Sequence, residues 1–213
     1  MLTYNSLSLY LQILINLTLL VGLILFVKNG IKIKEVMIFL AGELTLELTD
    51  LVERLLKLNT LNIYNYALSQ FFGLVIMTEI YTKYCLRVPV FIKGIIYLYA
   101  TVFFIINMID LHHGTPVTFY SNIISSIIIC SFAAAYFMQM LKKGRMEKSL
   151  FIINICVFLF FSVECLISTT FQFLITNHLE WVAPIWLFRG VLLWCLYLSF
   201  INLGCCSGKI RAW

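Results

Sequence analysis

Apolar residues along this chain fall into seven long blocks, at 7–27, 36–56, 62–82, 89–109, 118–141, 149–174 and 181–203. A helix crosses a hydrocarbon core of about 30 Å in about 20 residues, so each block is long enough to span a membrane. Short polar breaks separate them: KNGIKIKE, KLNTLN, TKYCLRVP, DLHHGTPV, LKKGRMEK and TNHLE. Gly30, Pro89, Gly114, Pro116 and Gly144 stand in these breaks, where turns are expected. The pattern predicts an all-α integral membrane protein, a seven-transmembrane-helix bundle folded as a single domain over residues 1–213. The first block lacks a preceding basic segment and exceeds a signal-peptide core in length, so it is expected to remain as a span.

Composition supports the class. The chain is 62% hydrophobic and only 12% charged, with a mean hydropathy of +0.98, which excludes an ordinary soluble domain. Charge adds an orientation. Lys28, Lys32 and Lys34, then Lys83, Arg87 and Lys93, then Lys142, Lys143, Arg145 and Lys148, and finally Lys209 and Arg211 all fall on one side of a seven-span arrangement. The other side has only Arg54 and Lys57. Basic loops stay cytoplasmic, so the amino terminus is expected outside and the carboxyl terminus in the cytoplasm, at the inner membrane of a bacterial cell. The second block is the least apolar, yet it must cross if the basic breaks on either side of blocks two and three are to share a face. The net charge of +5 is this topological signal against an anionic leaflet and implies no nucleic-acid partner. The expected partners are the lipid bilayer and a cytoplasmic signalling protein.

The candidate chemistry is a set of ionisable residues inside apolar blocks. Glu43, Glu47 and Asp50 are spaced i, i+4 and i+7, which puts them on one helical face. Glu164 lies in CVFLFFSVECLISTTF and Arg189 in WVAPIWLFRGVLLWCLYLSF. Each charged group at hydrocarbon depth costs about 2.5–3.5 kcal/mol on insertion scales, so such groups face the bundle interior and pair. Arg189 is expected to pair with Glu47 or Glu164, or to bridge both. One arginine cannot serve every acid, so at least one carboxyl is protonated or hydrated. We expect an outward-facing polar cavity lined by Glu43, Glu47, Asp50, Gln70, Glu164, Trp186 and Arg189, with Asn65, Ser69, Asn107 and Asp110 at similar levels and Glu53 near the mouth. The competing reading is an interhelical network that holds the bundle together and binds nothing.

Other residues carry less. No metal is expected; Asp110, His112 and His113, with His178 in another break, are the residues such a site would have to use, but adjacent histidines project in different directions. No cofactor is implied. Tyr64, Tyr66, Trp181 and Trp186 suit an interfacial aromatic belt, with a cavity wall as the alternative. Gly42, Gly73 and Gly190 lie near polar groups and would allow close helix approach. The seven cysteines (Cys85, Cys130, Cys156, Cys165, Cys195, Cys205 and Cys206) sit in or beside apolar blocks without a C-x-x-C pair and are expected to pack as small apolar residues. For Cys205 and Cys206 lipidation is an alternative.

Two families fail on motifs: the last block has no lysine for a retinal Schiff base, and no histidine follows His178 to supply the H-x-x-x-H pair of alkaline ceramidase-type hydrolases. The acidic second block around Glu43 and Glu47, the stretch NIYNYALSQFFGL and the stretch SLFIINICVFLFFS carry a different likeness. With these the chain resembles a group of small seven-span membrane proteins of unassigned function from Bacteroidota. That resemblance implies the seven-helix fold and no activity. The group often has an acid in its third span and a histidine in its seventh, where this chain has Gln70 and Arg189.

Three functions compete. A receptor or sensor module would bind a small cationic or polar ligand, or a proton, from outside and signal to a cytoplasmic partner. A proton-coupled small-molecule transporter would use the same acids but needs a polar path continuing past Glu79 and Asn154. An intramembrane lipid-acting enzyme would use Ser162 or Ser168 beside Glu164, without a histidine base nearby. The expected function is the receptor, which is not an enzyme.

Overall fold

A computed structural model describes residues 4–29, 33–57, 62–110, 117–143 and 148–206. They form seven α-helices: α1 (Tyr4–Lys28), α2 (Lys34–Leu56), α3 (Asn62–Ile80), α4 (Val90–Asp110), α5 (Val117–Lys143), α6 (Lys148–Asn177) and α7 (Leu179–Cys206). A π-helical segment, Tyr81–Cys85, continues α3, and no strand occurs among the described residues. The seven apolar blocks thus correspond to seven helices, the third ending slightly before its expected boundary.

Only five of these helices, α1, α4, α5, α6 and α7, are long and apolar enough to cross a membrane on composition alone. This corrects the expectation that all seven blocks would qualify. The physical reason lies in where α2 and α3 put their polar residues. Glu43, Glu47 and Asp50 on α2, and Asn65, Ser69 and Gln70 on α3, face an internal cavity. Hydropathy counts a side chain without regard to the face it occupies.

Burial differs from that of a water-soluble fold, because polar residues join the apolar core inside while large apolar side chains cover the outside. Glu43, Glu53, Asn107, Asn122, Asn154 and Glu164 are buried, whereas Val90 is 85% exposed, Phe91 76% and Leu141 79%. An exterior of bare Leu, Ile, Val and Phe needs an apolar solvent, and polar groups withdrawn from it must find partners inside. The molecule has the make-up of a helical membrane protein.

Helices α2, α3, α5, α6 and α7 enclose the interior, α1 covers the seam between α7 and α2, and α4 packs on α3 and α5. The α1 seam is close. A Cβ on Gly22 would lie 2.5 Å from Ile201 Cδ1, and one on Gly190 2.7 Å from Leu11 Cδ2. Trp194 Nε1 donates to Thr18 Oγ1 at 2.9 Å. Near the other end of α1, Arg54 donates to Ser8 Oγ (3.1 Å) and to the Asn5 carbonyl (2.8 Å). Gly42 likewise accommodates the Phe72 ring, but Gly73 meets nothing within 4 Å.

One end of the bundle is sealed, the end where α2 and α6 begin and α3, α5 and α7 finish. Leu40, Leu74, Met77, Ile129, Val157 and Phe200 fill it and are fully or almost fully buried. Asn154 is built into this plug, accepting from Tyr81 Oη at 2.6 Å and donating to the Ala133 carbonyl at 3.0 Å. Beyond it, Glu35 of α2 accepts from Lys83 and, at 2.6 Å, from Tyr84 Oη, both on the π segment. Glu79 accepts from Lys93 Nζ (2.7 Å) and Tyr97 Oη (2.5 Å), joining α3 to α4.

These packing differences separate two glycines. Gly22→Ala forces Ile201 aside and should lower stability by about 1–3 kcal/mol, the usual range for overpacking. Gly73→Ala should be neutral or gain up to about 1 kcal/mol from helix propensity. Thermal unfolding of the purified protein in detergent measures both; equal losses would contradict the packing described.

Candidate functional site

The interior holds a cavity of about 670 Å³, bounded by α2, α3, α5, α6 and α7. It runs from the level of Asp50, Asn65, Phe119, Phe171 and Trp186 down to Phe39, Gly73, Ile129 and Tyr197. All seven residues assigned to a cavity from the sequence (Glu43, Glu47, Asp50, Gln70, Glu164, Trp186 and Arg189) line it. Their convergence follows from helix geometry: i, i+4 and i+7 on α2 share a face, and that face is turned inward between α3 and α7.

Opposite the acidic α2 wall lies an ion pair whose carboxylate is buried and whose arginine is half-buried. Arg189 Nε donates to Glu164 Oε2 at 2.5 Å and Arg189 Nη2 donates to Glu164 Oε1 at 3.2 Å. This fork geometry is the stronger form of an arginine–carboxylate contact. Asn122 Nδ2 adds a donor to Glu164 Oε1 at 2.9 Å and also reaches Ser168 Oγ (2.7 Å) and Tyr66 Oη (2.9 Å). The Arg189 guanidinium carbon lies 5.0 Å from the Trp186 ring centre and 5.7 Å from that of Phe160, within cation–π range of both. Arg189 therefore bonds Glu164 and leaves Glu47 without a direct ion pair.

The α2 acids have different surroundings. Tyr197 Oη donates to Glu43 Oε2 at 2.9 Å, and Asn65 Nδ2 donates to Asp50 Oδ1 at 2.6 Å. Glu47 makes no side-chain hydrogen bond among the described residues; only its backbone carbonyl is engaged, by Asn16 Nδ2 at 3.4 Å. Gln70 accepts from Ser121 Oγ at 3.1 Å, and Ser121 in turn accepts from Asn107 Nδ2 at 3.1 Å, which extends the polar network toward α4. With four carboxyls against one guanidinium, the lining has a surplus of acid.

Other assignments divide. Tyr66 and Trp186 line the cavity, which overturns the preference for an interfacial belt at those two positions, whereas Tyr64 and Trp181 are exposed. Asn107 is buried but lies outside the cavity lining, and Glu53 is buried rather than at a mouth. His112 and His113 lie outside the described residues, as does the side chain of Asp110, and His178 contacts Glu180 at 3.5 Å. Among the described residues no group of three His, Cys, Asp or Glu could hold a metal ion. Cys85, Cys130, Cys156, Cys165 and Cys195 form no disulfide among the described residues, and the side chains of Cys205 and Cys206 are outside the described set.

Sequence reasoning passed over Asn122 and Tyr197, the partners of Glu164 and Glu43. Asn122 had a signal: Ser121, Asn122, Ser125 and Ser126 form a small polar stripe in an apolar block. Tyr197 had none, because an isolated tyrosine reads the same on a lipid face as on an internal one. No family, curated protein or solved structure matches this chain.

The ion pair has a measurable signature. Arg189→Leu leaves Glu164 buried without its cation and should cost about 3–5 kcal/mol, seen as lost folded yield and a lower unfolding temperature. Adding Glu164→Gln should restore part of that loss. A double variant no better than Arg189→Leu would show that the pair does not act as a unit.

Proposed function

We propose that the chain crosses the membrane seven times, with its amino terminus outside and its carboxyl terminus in the cytoplasm of a bacterial cell. In this reading it is a receptor or sensor module that takes a small ligand into the outward cavity and signals to a cytoplasmic partner. The cavity lies toward the end of the bundle bearing few basic residues, and the plug toward the end rich in Lys and Arg. Positive charge retained inside makes the first end external.

The observation that carries the receptor reading is the blind inner end of the cavity. A carrier in this state would need polar groups leading on from Glu43 and Tyr197. Below them come Leu40, Leu74, Met77 and Phe200. Asn154 is already bonded to Tyr81 and Ala133, and Glu79 turns aside to Lys93 and Tyr97. Helix α2 offers the route for a signal. Its middle carries the acids of the cavity and its first turn carries Glu35, bound to Lys83 and Tyr84 of the π segment. A ligand drawing α2 toward α7 would shift Glu35 against that segment at the cytoplasmic face.

Ser168 accepts a hydrogen bond from Asn122, and Ser162 is paired with Cys130 Sγ at 3.6 Å. Neither contact activates a nucleophile, so the enzyme reading has no support in this geometry. The carrier reading draws on the same buried carboxylates and is the outcome an experiment must separate.

Labelling of single cysteines in a cysteine-free background separates them. Asp50→Cys and Gln70→Cys should react with a membrane-impermeant maleimide added outside intact cells, and Ile153→Cys should not. Reaction only from the cytoplasmic side would refute the outward cavity. Proton-dependent uptake into vesicles that disappears with Glu164→Gln would replace the receptor with a carrier.

A further inference from the structure

We infer that the cavity takes an organic ammonium ion with an apolar body, its charged nitrogen on Glu47 and its body against the aromatic wall. The inference rests on the outward ligand cavity proposed above and names the chemistry of what enters it.

Four observations narrow the class. First, Glu47 lines the cavity without a side-chain hydrogen bond among the described residues, while Glu43 and Asp50 each have a neutral donor. Its half-buried carboxylate is thus an acceptor on the cavity wall that no side-chain donor occupies, and a cationic donor makes the strongest hydrogen bond to it. A neutral guest would make a weaker one. Second, an anion is poorly served: the lining's one arginine is engaged by Glu164 through two hydrogen bonds and flanked by Trp186 and Phe160. An anionic guest would have to displace Glu164 and then sit opposite three further carboxyls.

Third, the acids do not converge as ligands for a small inorganic ion. Glu43, Glu47 and Asp50 follow one helix at a rise of about 1.5 Å per residue, so they are strung out over about 10 Å. No group of three potential metal ligands occurs among the described residues. Fourth, the remaining wall is a hydrocarbon and aromatic surface. Phe39, Phe119, Phe161 and Phe171 line it, and Phe171 meets Trp186 edge-on at 5.9 Å. Such rings suit the body of an amine and add cation–π attraction for its nitrogen. The cavity volume of about 670 Å³ falls within the range of small-molecule sites and far exceeds what a bare ion needs.

The test uses the full-length protein in detergent or nanodiscs and four compounds: 2-phenylethylamine, its neutral counterpart of the same size 2-phenylethanol, the slightly larger anion 3-phenylpropionate, and putrescine, a smaller diamine without a ring. Calorimetric titration at neutral pH should show 2-phenylethylamine binding most tightly. The alcohol, and the amine on Glu47→Gln, should each be weaker by about tenfold to a hundredfold, the worth of one hydrogen bond to a charged group. Comparison of the four compounds on the unaltered protein stands even if the variant does not fold. Equal binding of amine and alcohol, tighter binding of the anion or of putrescine, or an unchanged affinity in folded Glu47→Gln would each overturn the assignment. So would no binding by any of them. If Asp50→Cys nevertheless reacts from outside, the cavity reading survives and only the ammonium class falls.

Discussion

The Arg189–Glu164 pair is the constraint around which the interior is arranged. An arginine at the depth of a membrane core is tolerable only if its charge is met and its donors are engaged, and a carboxylate there has the converse need. Once the two meet between α6 and α7, the rest of the polar set has defined places. Asn122 comes in from α5 and Tyr66 from α3 to complete the carboxylate's bonds, and the rings of Trp186 and Phe160 lie within cation–π range of the guanidinium. Four helices are thereby fixed around one carboxyl group.

The same pairing explains why the other wall is reactive. With one guanidinium committed to Glu164, the acids of α2 must rely on weaker, neutral donors, and Glu47 goes without. A bundle designed for stability alone would fill this space with leucine or valine. A cavity of about 670 Å³ with more acid than base in its wall forgoes that packing.

Much of this could be read from residues alone, because a charge inside an apolar block is conspicuous. Glu43, Glu47, Asp50, Glu164 and Arg189 declared themselves that way, and helical periodicity put the first three together. The number of helices followed from the lengths of the blocks. What could not be read was the facing of residues that carry no charge. Phe119, Phe161 and Phe171 give the same hydropathy whether they touch lipid or line a cavity, and Tyr66 was as well suited to a membrane interface as to an internal wall. The pairing of Arg189 with Glu164 rather than Glu47 also depends on the rotation of α6 and α7 about their axes, which periodicity in apolar blocks leaves undetermined. Helices α2 and α3 fall short of a membrane span on hydropathy for a related reason: hydropathy averages over all faces of a helix, and the face each turns to the cavity is polar.

Gly73 gives the arrangement a further property. It sits in the cavity wall where an added side-chain atom would touch no neighbour within 4 Å, whereas its counterparts Gly22, Gly42 and Gly190 are held small by packing. Atoms added at position 73 would therefore reduce the cavity volume and leave the helix contacts intact. Under the receptor reading proposed above, the size of guest would be adjustable at this position independently of the fold, so that selectivity for bulk and stability of the bundle would change separately.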